Sequence, residues 1–271
     1  MLNPICLNSN TYASYPLEDA IIGAERSDIH LIELSAVDGC QHVDPDLTDR
    51  EAEAVLRRLA ESGLIAVALG GSANLTTERG RDLFRRNLIL GAQLGVDYVV
   101  TGIGDRHGDR GGIHDLDAFV AEVAALAEEA RRVGVRMAIE THGGNYATGV
   151  QVQELVAAIG SDALFVNYDT ANVIFYGDTD PYDDLEQCLD RVIGIHLKDK
   201  TGKRDEWNFP AIGEGDIDFA QIREILAGSN RTDSVPLSIE IEFTPAGAGS
   251  VAEVHRSVAA SVATIESLWS A

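Results

Sequence analysis

The sequence contains little cysteine and no long apolar run. Its three cysteines, Cys6, Cys40 and Cys188, are too few and too scattered for a disulfide framework or a cysteine-based metal site. The N-terminal stretch MLNPICLNSNTY lacks the basic region and apolar run of a signal peptide, and no apolar run reaches membrane-spanning length. We therefore expect a cytoplasmic protein without a membrane partner.

Positive charge is scarce as well. The 271 residues include 21 Lys and Arg against 44 Asp and Glu, which gives a formal net charge of −23 at pH 7. A charge of this sign disfavours binding to nucleic-acid phosphates and to anionic lipid. It is compatible with a source that has a generally acidic proteome, such as a high-salt organism, and with a diffuse acidic surface. Both explanations stay open.

Lysine is almost absent, and its distribution is uneven. All three lysines, Lys198, Lys200 and Lys203, lie in the stretch VIGIHLKDKTGK at 192–203, although the chain has 18 arginines. The stretch begins as an apolar strand and ends in charged residues at the start of a loop, where functional residues concentrate. We interpret it as part of a site; the alternative is a short positive loop.

What the sequence does contain is a regular alternation of strand and helix patterns. Eight apolar strand patterns are found at 4–8, 30–35, 64–70, 96–102, 135–141, 164–170, 192–199 and 236–243. Helix patterns follow at 17–26, 51–63, 76–95, 116–134, 150–160, about 180–190, 218–228 and 251–269. Eight such units in this length predict a parallel (β/α)8 TIM barrel that forms a single domain over residues 1–271. A doubly wound open sheet lacks support, because no G-x-G-x-x-G follows the first strand and no P-loop is present.

Ligands suited to a divalent metal ion stand at four consecutive strand ends: Glu140, Asp169, His196 and Glu240. Barrel enzymes carry their chemistry at this end of the strands. Three carboxylates and one imidazole at a barrel mouth would repel one another without a cation, and mixed oxygen and nitrogen ligands suit Mn²⁺, Mg²⁺, Co²⁺ or Zn²⁺. The sequence therefore predicts a metal site.

The alternation of strand residues predicts which side chains face the barrel interior. In the seventh strand, Ile193, Ile195 and Leu197 are expected to face the helices, which directs His196 and Lys198 inward. The same parity directs Glu140, His142, Glu240 and Glu242 inward. Asp199 falls on the opposite parity and is assigned either to the loop or to contacts that support the site from behind. Glu33 and Glu242, taken singly, are interpreted as solvated or salt-bridged carboxylates.

The segments AIETHGG, NYDTANV, GIHLKDK, FPAIGEGDIDF and LSIEIEF resemble the sugar isomerase/epimerase superfamily of xylose-isomerase-like barrels. That group includes ketose 3-epimerases, hydroxypyruvate isomerase, inosose dehydratase and endonuclease IV. The resemblance implies that Glu140, Asp169, His196 and Glu240 bind one divalent metal ion. Mn²⁺ is the expected ion, with Mg²⁺, Co²⁺ or Zn²⁺ as alternatives, and the expected assembly is a homodimer or homotetramer.

The resemblance also implies an activity on a small carbohydrate. The expected reaction is isomerisation or epimerisation of a sugar, keto-sugar or sugar phosphate through a cis-enediolate, with Glu140 and Glu240 moving the proton. Two alternatives stay open. One is a dehydratase or lyase that follows the same enolisation with β-elimination, and the other is a barrel that only binds a sugar or a partner. The expected substrate contacts come from Lys198, His142, Trp207 and Asn172; Trp207 either caps the site or anchors its loop.

Departures from the family pattern restrict the substrate. Endonuclease IV has further histidines, but the third-strand loop GGSANLT has none and Asn172 stands three residues after Asp169, so DNA repair is not expected. Tyr146 and Gly202 replace a glutamate and an arginine of the well-studied free-ketose epimerases. The sugar is therefore left open, and Lys200 and Lys203 remain either phosphate contacts or an ordinary positive loop.

Overall fold

The computed structural model describes residues 3–37, 39–104, 113, 115–229 and 235–270. Eight parallel strands in it close into a barrel, because the first strand pairs both with the second and with the last. A ninth, two-residue strand pairs antiparallel with the end of the second. The strands are β1 (Ile5–Asn8), β2 (Leu31–Val37), β3 (Cys40–Gln41), β4 (Ile65–Gly70), β5 (Tyr98–Thr101), β6 (Arg136–Glu140), β7 (Leu164–Asp169), β8 (Val192–Leu197) and β9 (Leu237–Ile239). The predicted (β/α)8 barrel is confirmed.

Helices connect successive barrel strands along the described chain. They are α1 (Leu17–Arg26), α2 (Asp49–Glu61), α3 (Glu78–Leu94), α4 (Leu116–Val133), α5 (Gly149–Ile159), α6 (Asn172–Phe175), α7 (Pro181–Cys188), α8 (Phe219–Gly228) and α9 (Val251–Trp269). Local chemistry explains their limits: Thr48 and Glu51 form a capping box at the start of α2. Gly95 ends α3 in the left-handed conformation, at φ 66°, which glycine adopts without a Cβ clash. None of these helices is long and apolar enough to cross a membrane.

The strands bury two apolar layers. Outward residues such as Val99, Met137 and Ile139 join the large core between barrel and helices. A separate buried cluster comes from the inward residues Ala68, Tyr98, Val100, Ala138 and Ile193. This inner cluster fills the barrel below the strand ends, and the chemistry of barrel enzymes lies above such a layer, at the carboxyl-terminal mouth.

The predicted orientation of Ile193 is wrong. The register between β7 and β8 shifts at this point, pairing Val166 with Val192 but Asn167 with Gly194, so one residue of β8 is inserted. Ile193 consequently packs in the inner cluster rather than against the helices. The ladder then continues in register, and Asp169 pairs with His196. The shift therefore leaves the predicted inward direction of His196 intact.

Other differences from the predicted pattern lie in the loops. The eighth barrel strand ends at Ile239, and Glu240 continues it only through a backbone bond from its N–H to Leu197 O at 3.0 Å. Phe243 then pairs with Phe209 through two backbone bonds of 2.8 Å each. The strand β3 and the short helix α6 were not predicted. Most of the stretch 103–115, between the fourth strand pattern and the helix pattern after it, lies outside the described residues.

Candidate metal and substrate site

The four predicted metal ligands come together at the mouth of the barrel. Glu140 and Asp169 end β6 and β7, His196 lies in β8, and Glu240 follows β9. One ligand atom from each residue lies within 4.8 Å of the others, and all four side chains are buried. A buried group of three carboxylates and one imidazole is suited to a metal ion.

The hydrogen bonds of Asp169 leave one of its oxygens directed at this group. Its Oδ1 accepts from the backbone N–H groups of Ala171 at 2.9 Å and Asn172 at 2.8 Å. Its Oδ2 is buried and makes no hydrogen bond within the described chain. Because a buried carboxylate oxygen without a hydrogen-bond partner is unfavourable, this atom fits the requirement of a cation. The residues present therefore fit a divalent metal ion.

Glu240 is held in a similar way. Its Oε1 accepts a hydrogen bond of 2.8 Å from Asn10 Nδ2. Its Oε2 faces the cluster, 3.3 Å from His196 Nδ1 and 3.7 Å from Lys198 Nζ. Asn10 lies in a 3₁₀ turn, Ser9–Tyr12, which follows β1 directly. Each of these two acidic ligands thus has one anchored oxygen and one oxygen directed at the centre.

His196 contacts carboxylates through both ring nitrogens. Its Nδ1 lies 2.9 Å from Glu140 Oε1, on the side of the cluster. Its Nε2 lies 3.1 Å from both carboxylate oxygens of Glu33, which reaches it from β2. Glu33 is fully buried and also accepts a 2.9 Å hydrogen bond from Ser238 Oγ. The structure therefore makes Glu33 a salt-bridged, not a solvated, carboxylate.

Burial and mutual charge shift the pKa values of the four groups. Burial, reinforced by the charges of Glu240 and Glu140, raises the pKa of Asp169 to about 8. Burial opposes protonation of His196, but the charges of Glu33 and Glu240 outweigh it and hold the His196 pKa well above its ordinary value. Burial also opposes ionisation of Glu140, yet the hydrogen bond and charge of His196 lower its pKa. Without a cation, protons on Asp169 and His196 balance the buried charge.

Lys198 points inward, as the parity predicted, and meets the acidic side of the cluster. Its Nζ lies 2.8 Å from Glu242, 3.7 Å from Asp169 and 3.7 Å from Glu240. It also lies 4.7 Å from the centroid of the Phe209 ring. Burial opposes protonation, but Glu240 and Glu242 keep the Lys198 pKa well above its ordinary value. Lys198 is therefore a buried cation, and Glu242 is its ion-pair partner.

The remaining predicted substrate residues line one cavity of about 580 Å³ with the metal ligands Glu140, His196 and Glu240. Its volume is in the range of small-molecule sites. Asn172 faces Lys198, with Oδ1 3.5 Å from Nζ. His142 packs against Tyr176, with ring centroids 4.7 Å apart. Trp207 borders the cavity and also packs edge-on against Phe209 at 5.1 Å, so it both lines the site and anchors its loop.

Asp199 stabilises the loop after β8. Its side chain was predicted to point away from the barrel interior, and its contacts are with this loop. Its carboxylate accepts four backbone bonds, from Lys200 at 2.8 Å, Gly213 at 2.8 Å, Gly215 at 2.8 Å and Ile217 at 3.2 Å. Lys200 Nζ donates to backbone carbonyls of the same loop, among them Lys203 O at 2.7 Å. Within the described chain, Lys200 is thus a loop residue.

The sequence profile of the xylose isomerase-like TIM barrel family matches residues 24–258. The chain belongs to the xylose isomerase-like TIM barrel family. This confirms the resemblance carried by the motifs of strands β6 to β9.

Several members of this family, and of its fold, are similar to the chain. A probable L-ribulose-5-phosphate 3-epimerase of Mycoplasma pneumoniae is 24% identical over 140 residues, which are 50% of this chain and 45% of that protein. An inosose dehydratase of Clostridium tetani is 30% identical over 142 residues, 45% of this chain and 46% of that protein. The chain spans about half the length of the curated relatives it matches. A solved xylose isomerase domain protein of Planctomyces limnophilus has a TM-score of 0.78 and 17% identity, covering 98% of this chain and 96% of its own, which shows the fold alone.

Two residues of the candidate site were missed by the sequence reasoning. The inward direction of Glu33 could have been predicted from the sequence. It lies between the outward residues Ile32 and Leu34, so the alternation that directs His196 inward also directs Glu33 inward. The direction of Asn10 could not, since the 3₁₀ turn that directs it to Glu240 has no periodic pattern.

Proposed function

We propose that this family member is a divalent-metal-dependent isomerase or epimerase of a sugar, keto-sugar or sugar phosphate. The observation that carries the proposal is the convergence of Glu140, Asp169, His196 and Glu240 in one buried group that opens into a cavity of about 580 Å³. The relatives include an epimerase and a dehydratase, both of which act on small polyhydroxylated compounds by name.

The proposed cofactor is one divalent ion, Mn²⁺ first, with Mg²⁺, Co²⁺ or Zn²⁺ as alternatives. Hard carboxylate oxygens and one imidazole accept any of these ions. Among proteins of this fold, one has been solved with a zinc atom and one, from Mycobacterium smegmatis, with magnesium. Such an ion supplies positive charge beside the carbonyl and hydroxyl oxygens of a substrate, where negative charge develops.

Proton transfer is assigned to Glu140 and Glu240. These carboxylates come from β6 and from the segment after β9, so they approach the centre from different strands. Asn10 orients Glu240 by binding its Oε1 at 2.8 Å. One carboxylate removes the substrate C–H proton, and the other, or the same one, returns it. Return to the opposite face of the same carbon gives an epimer, whereas return to the neighbouring carbon gives the aldose or ketose isomer.

The other cavity residues are proposed to bind the substrate. Lys198 stabilises negative charge on a substrate oxygen, because its ammonium is buried beside the centre. Asn172 and His142 supply polar contacts, and Trp207 covers a face of the sugar. The partner is a small carbohydrate rather than nucleic acid. We propose a cytoplasmic homodimer or homotetramer.

A second candidate is a dehydratase or lyase that acts on a keto-sugar or keto-inositol. The same proton removal starts this reaction, and β-elimination of a hydroxyl or an aglycone then follows. Lys198 favours it, because a buried ammonium 3.7 Å from Glu240 Oε2 can stabilise the negative charge that develops on a leaving oxygen. The 30% identity to an inosose dehydratase agrees with this candidate.

The test is a panel of ketoses, ketose phosphates and 3-keto-glycosides incubated with the Mn²⁺-loaded protein in deuterium oxide and followed by NMR. Deuterium at the original carbon with inverted configuration selects an epimerase, deuterium at the neighbouring carbon an isomerase, and loss of water or aglycone a lyase. We expect Glu240→Gln to slow C–H exchange by about 10²–10⁴-fold. Glu61→Gln, an exposed substitution on α2, is the control. The proposal would be contradicted if the Glu240→Gln variant exchanged the substrate C–H at the wild-type rate, or if the protein kept full activity after removal of its metal.

A further inference from the structure

Glu33 is a buried carboxylate outside the four proposed ligands. It comes from β2, which is not a neighbour of β8 in the barrel, so its side chain reaches His196 across the interior. Both its oxygens lie 3.1 Å from Nε2 of His196, and Ser238 Oγ donates to its Oε2 at 2.9 Å. It is fully inaccessible to solvent. A buried carboxylate beside Nε2 of His196 influences which ring nitrogen of this proposed metal ligand carries the proton.

We propose that Glu33 is a positioning residue that keeps the proton of His196 on Nε2 and thereby presents Nδ1 to the metal ion. This inference rests on the proposed metal site. A carboxylate can only accept, so a hydrogen bond to Glu33 requires the N–H at Nε2. The lone pair of Nδ1 is then directed at the cluster, where Glu140 Oε1 lies at 2.9 Å and Glu240 Oε2 at 3.3 Å.

The arrangement resolves a conflict between the two sides of the ring. The carboxylates of Glu140 and Glu240 would, by themselves, favour an N–H on Nδ1, which blocks that atom as a ligand. Glu33 offers the competing acceptor on the opposite side. Ser238 holds Glu33 in place through its 2.9 Å bond. Outer partners of this kind fix the tautomer and orientation of a histidine ligand, and their loss weakens metal binding by about 10–100-fold.

The experiment compares metal affinity in three variants of the full chain. Glu33→Met removes the acceptor with little change in side-chain length, whereas Glu33→Gln keeps a carbonyl oxygen that accepts from Nε2–H. Asp184→Asn is the matched control, because Asp184 is a buried carboxylate that accepts from the backbone at Gly149 and Val150 and does not line the cavity. Mn²⁺ dissociation constants are measured by competition with a chelator.

We expect Glu33→Met to bind Mn²⁺ about 10–100-fold more weakly than wild type, Glu33→Gln to recover most of this loss, and Asp184→Asn to bind as wild type does. Equal affinity in Glu33→Met and wild type would overturn the inference, and so would failure of Glu33→Gln to bind better than Glu33→Met. A wild-type protein that binds no divalent ion would instead overturn the proposed metal site itself.

A spectroscopic readout on wild type decides the tautomer without any variant. In the Zn²⁺-loaded, ¹⁵N-labelled protein, we expect His196 to show an Nε2 resonance coupled to a slowly exchanging proton. Its Nδ1 resonance should carry no proton and should change when the ion is removed. A His196 bound through Nε2, or an Nε2 without a proton, would refute the role of Glu33 even if Glu33→Met does not fold.

Discussion

The metal-free protein should become less stable as pH rises from 5 to 8. Burial raises the pKa of Asp169 from its ordinary acidic range to about 8, so over most of this interval the folded chain keeps a proton that the unfolded chain releases. Unfolding therefore becomes more favourable by a few kcal/mol, on the order of 3–4 kcal/mol, over these three pH units. The whole stability of a domain is typically about 5–15 kcal/mol, so the effect is large.

The other ionisable groups of the cluster either add to this loss of stability with rising pH or do not change it between pH 5 and 8. Burial raises the pKa of Glu242, and the acidic neighbours raise that of His196 against the effect of burial, so both groups also favour the folded state at the lower pH. The pKa values of Glu140 and Glu240 are lowered against the effect of burial by His196 and, for Glu240, first by Lys198. Their stabilisation is complete above about pH 5 and is constant over the interval.

The assay is urea unfolding at constant ionic strength, with a chelator or with Mn²⁺, followed by tryptophan fluorescence. A bound cation replaces the protons, so Mn²⁺ should raise the free energy of unfolding more at pH 8 than at pH 5. Asp169→Asn should flatten the pH dependence of the chelated protein. Asp184→Asn should lower stability but keep the slope. A chelated wild type whose stability is constant or rises from pH 5 to 8 would refute the reasoning.

Three further outcomes are expected. Lys198→Met breaks a buried ion pair with Glu242 and should lower the free energy of unfolding by about 3–5 kcal/mol, measured in urea; Lys203→Met, an exposed lysine of the same loop, should change it little. Asp199→Ala leaves four backbone N–H groups without their acceptor and should destabilise by at least about 1–3 kcal/mol, with faster hydrogen exchange in 213–217; unchanged exchange would contradict this. Trp207→Ala should raise KM for the sugar more than it lowers kcat, and an unchanged KM would count against its substrate contact.

The barrel could be predicted from sequence because strand and helix periods alternate without interruption. Each predicted strand overlaps an observed one, since strands buried on both faces have continuous apolar runs. The orientation of Ile193 could not be predicted, because the register shift depends on packing inside the barrel. A Cβ at Gly194 would collide with the Tyr98 hydroxyl, which comes from a strand three positions away in the sheet. No local pattern carries that constraint.

The candidate ligands could also be predicted, but not the residues that hold them. Glu140, Asp169, His196 and Glu240 each stand at a strand end, and a period of two residues predicts the inward direction of Glu140, His196 and Glu240. The role of Glu33 depends on a contact across the barrel to a residue 163 positions away in sequence. The alternation of strand residues predicts that Glu33 points inward, but it does not predict that Glu33 contacts His196. Recognition of such an acceptor requires the three-dimensional fold.

The presence of lysine rather than arginine at positions 198 and 200 has a physical explanation in the two sites that the ammonium groups occupy. Lys198 places a compact charge within 4 Å of three carboxylates, at 2.8, 3.7 and 3.7 Å. A guanidinium is planar and presents its donors in a rigid fork. It pairs with a carboxylate through two of these donors, as Arg58 does with Glu18 at the surface. The buried space beside the centre therefore favours lysine.

Lys200 requires an ammonium for a different reason. Its single Nζ donates to three backbone carbonyls of the loop after β8, those of Thr201 at 3.2 Å, Lys203 at 2.7 Å and Glu206 at 2.9 Å. Three donors on one tetrahedral atom can converge on three carbonyls, whereas the nitrogens of an arginine fork diverge. Lys200 thus stabilises the loop that contains Trp207, which lines the cavity. Lys198 contacts the carboxylates of the candidate metal site. The lysine cluster indicated the site because the same short segment both contributes a cation to the centre and folds over it.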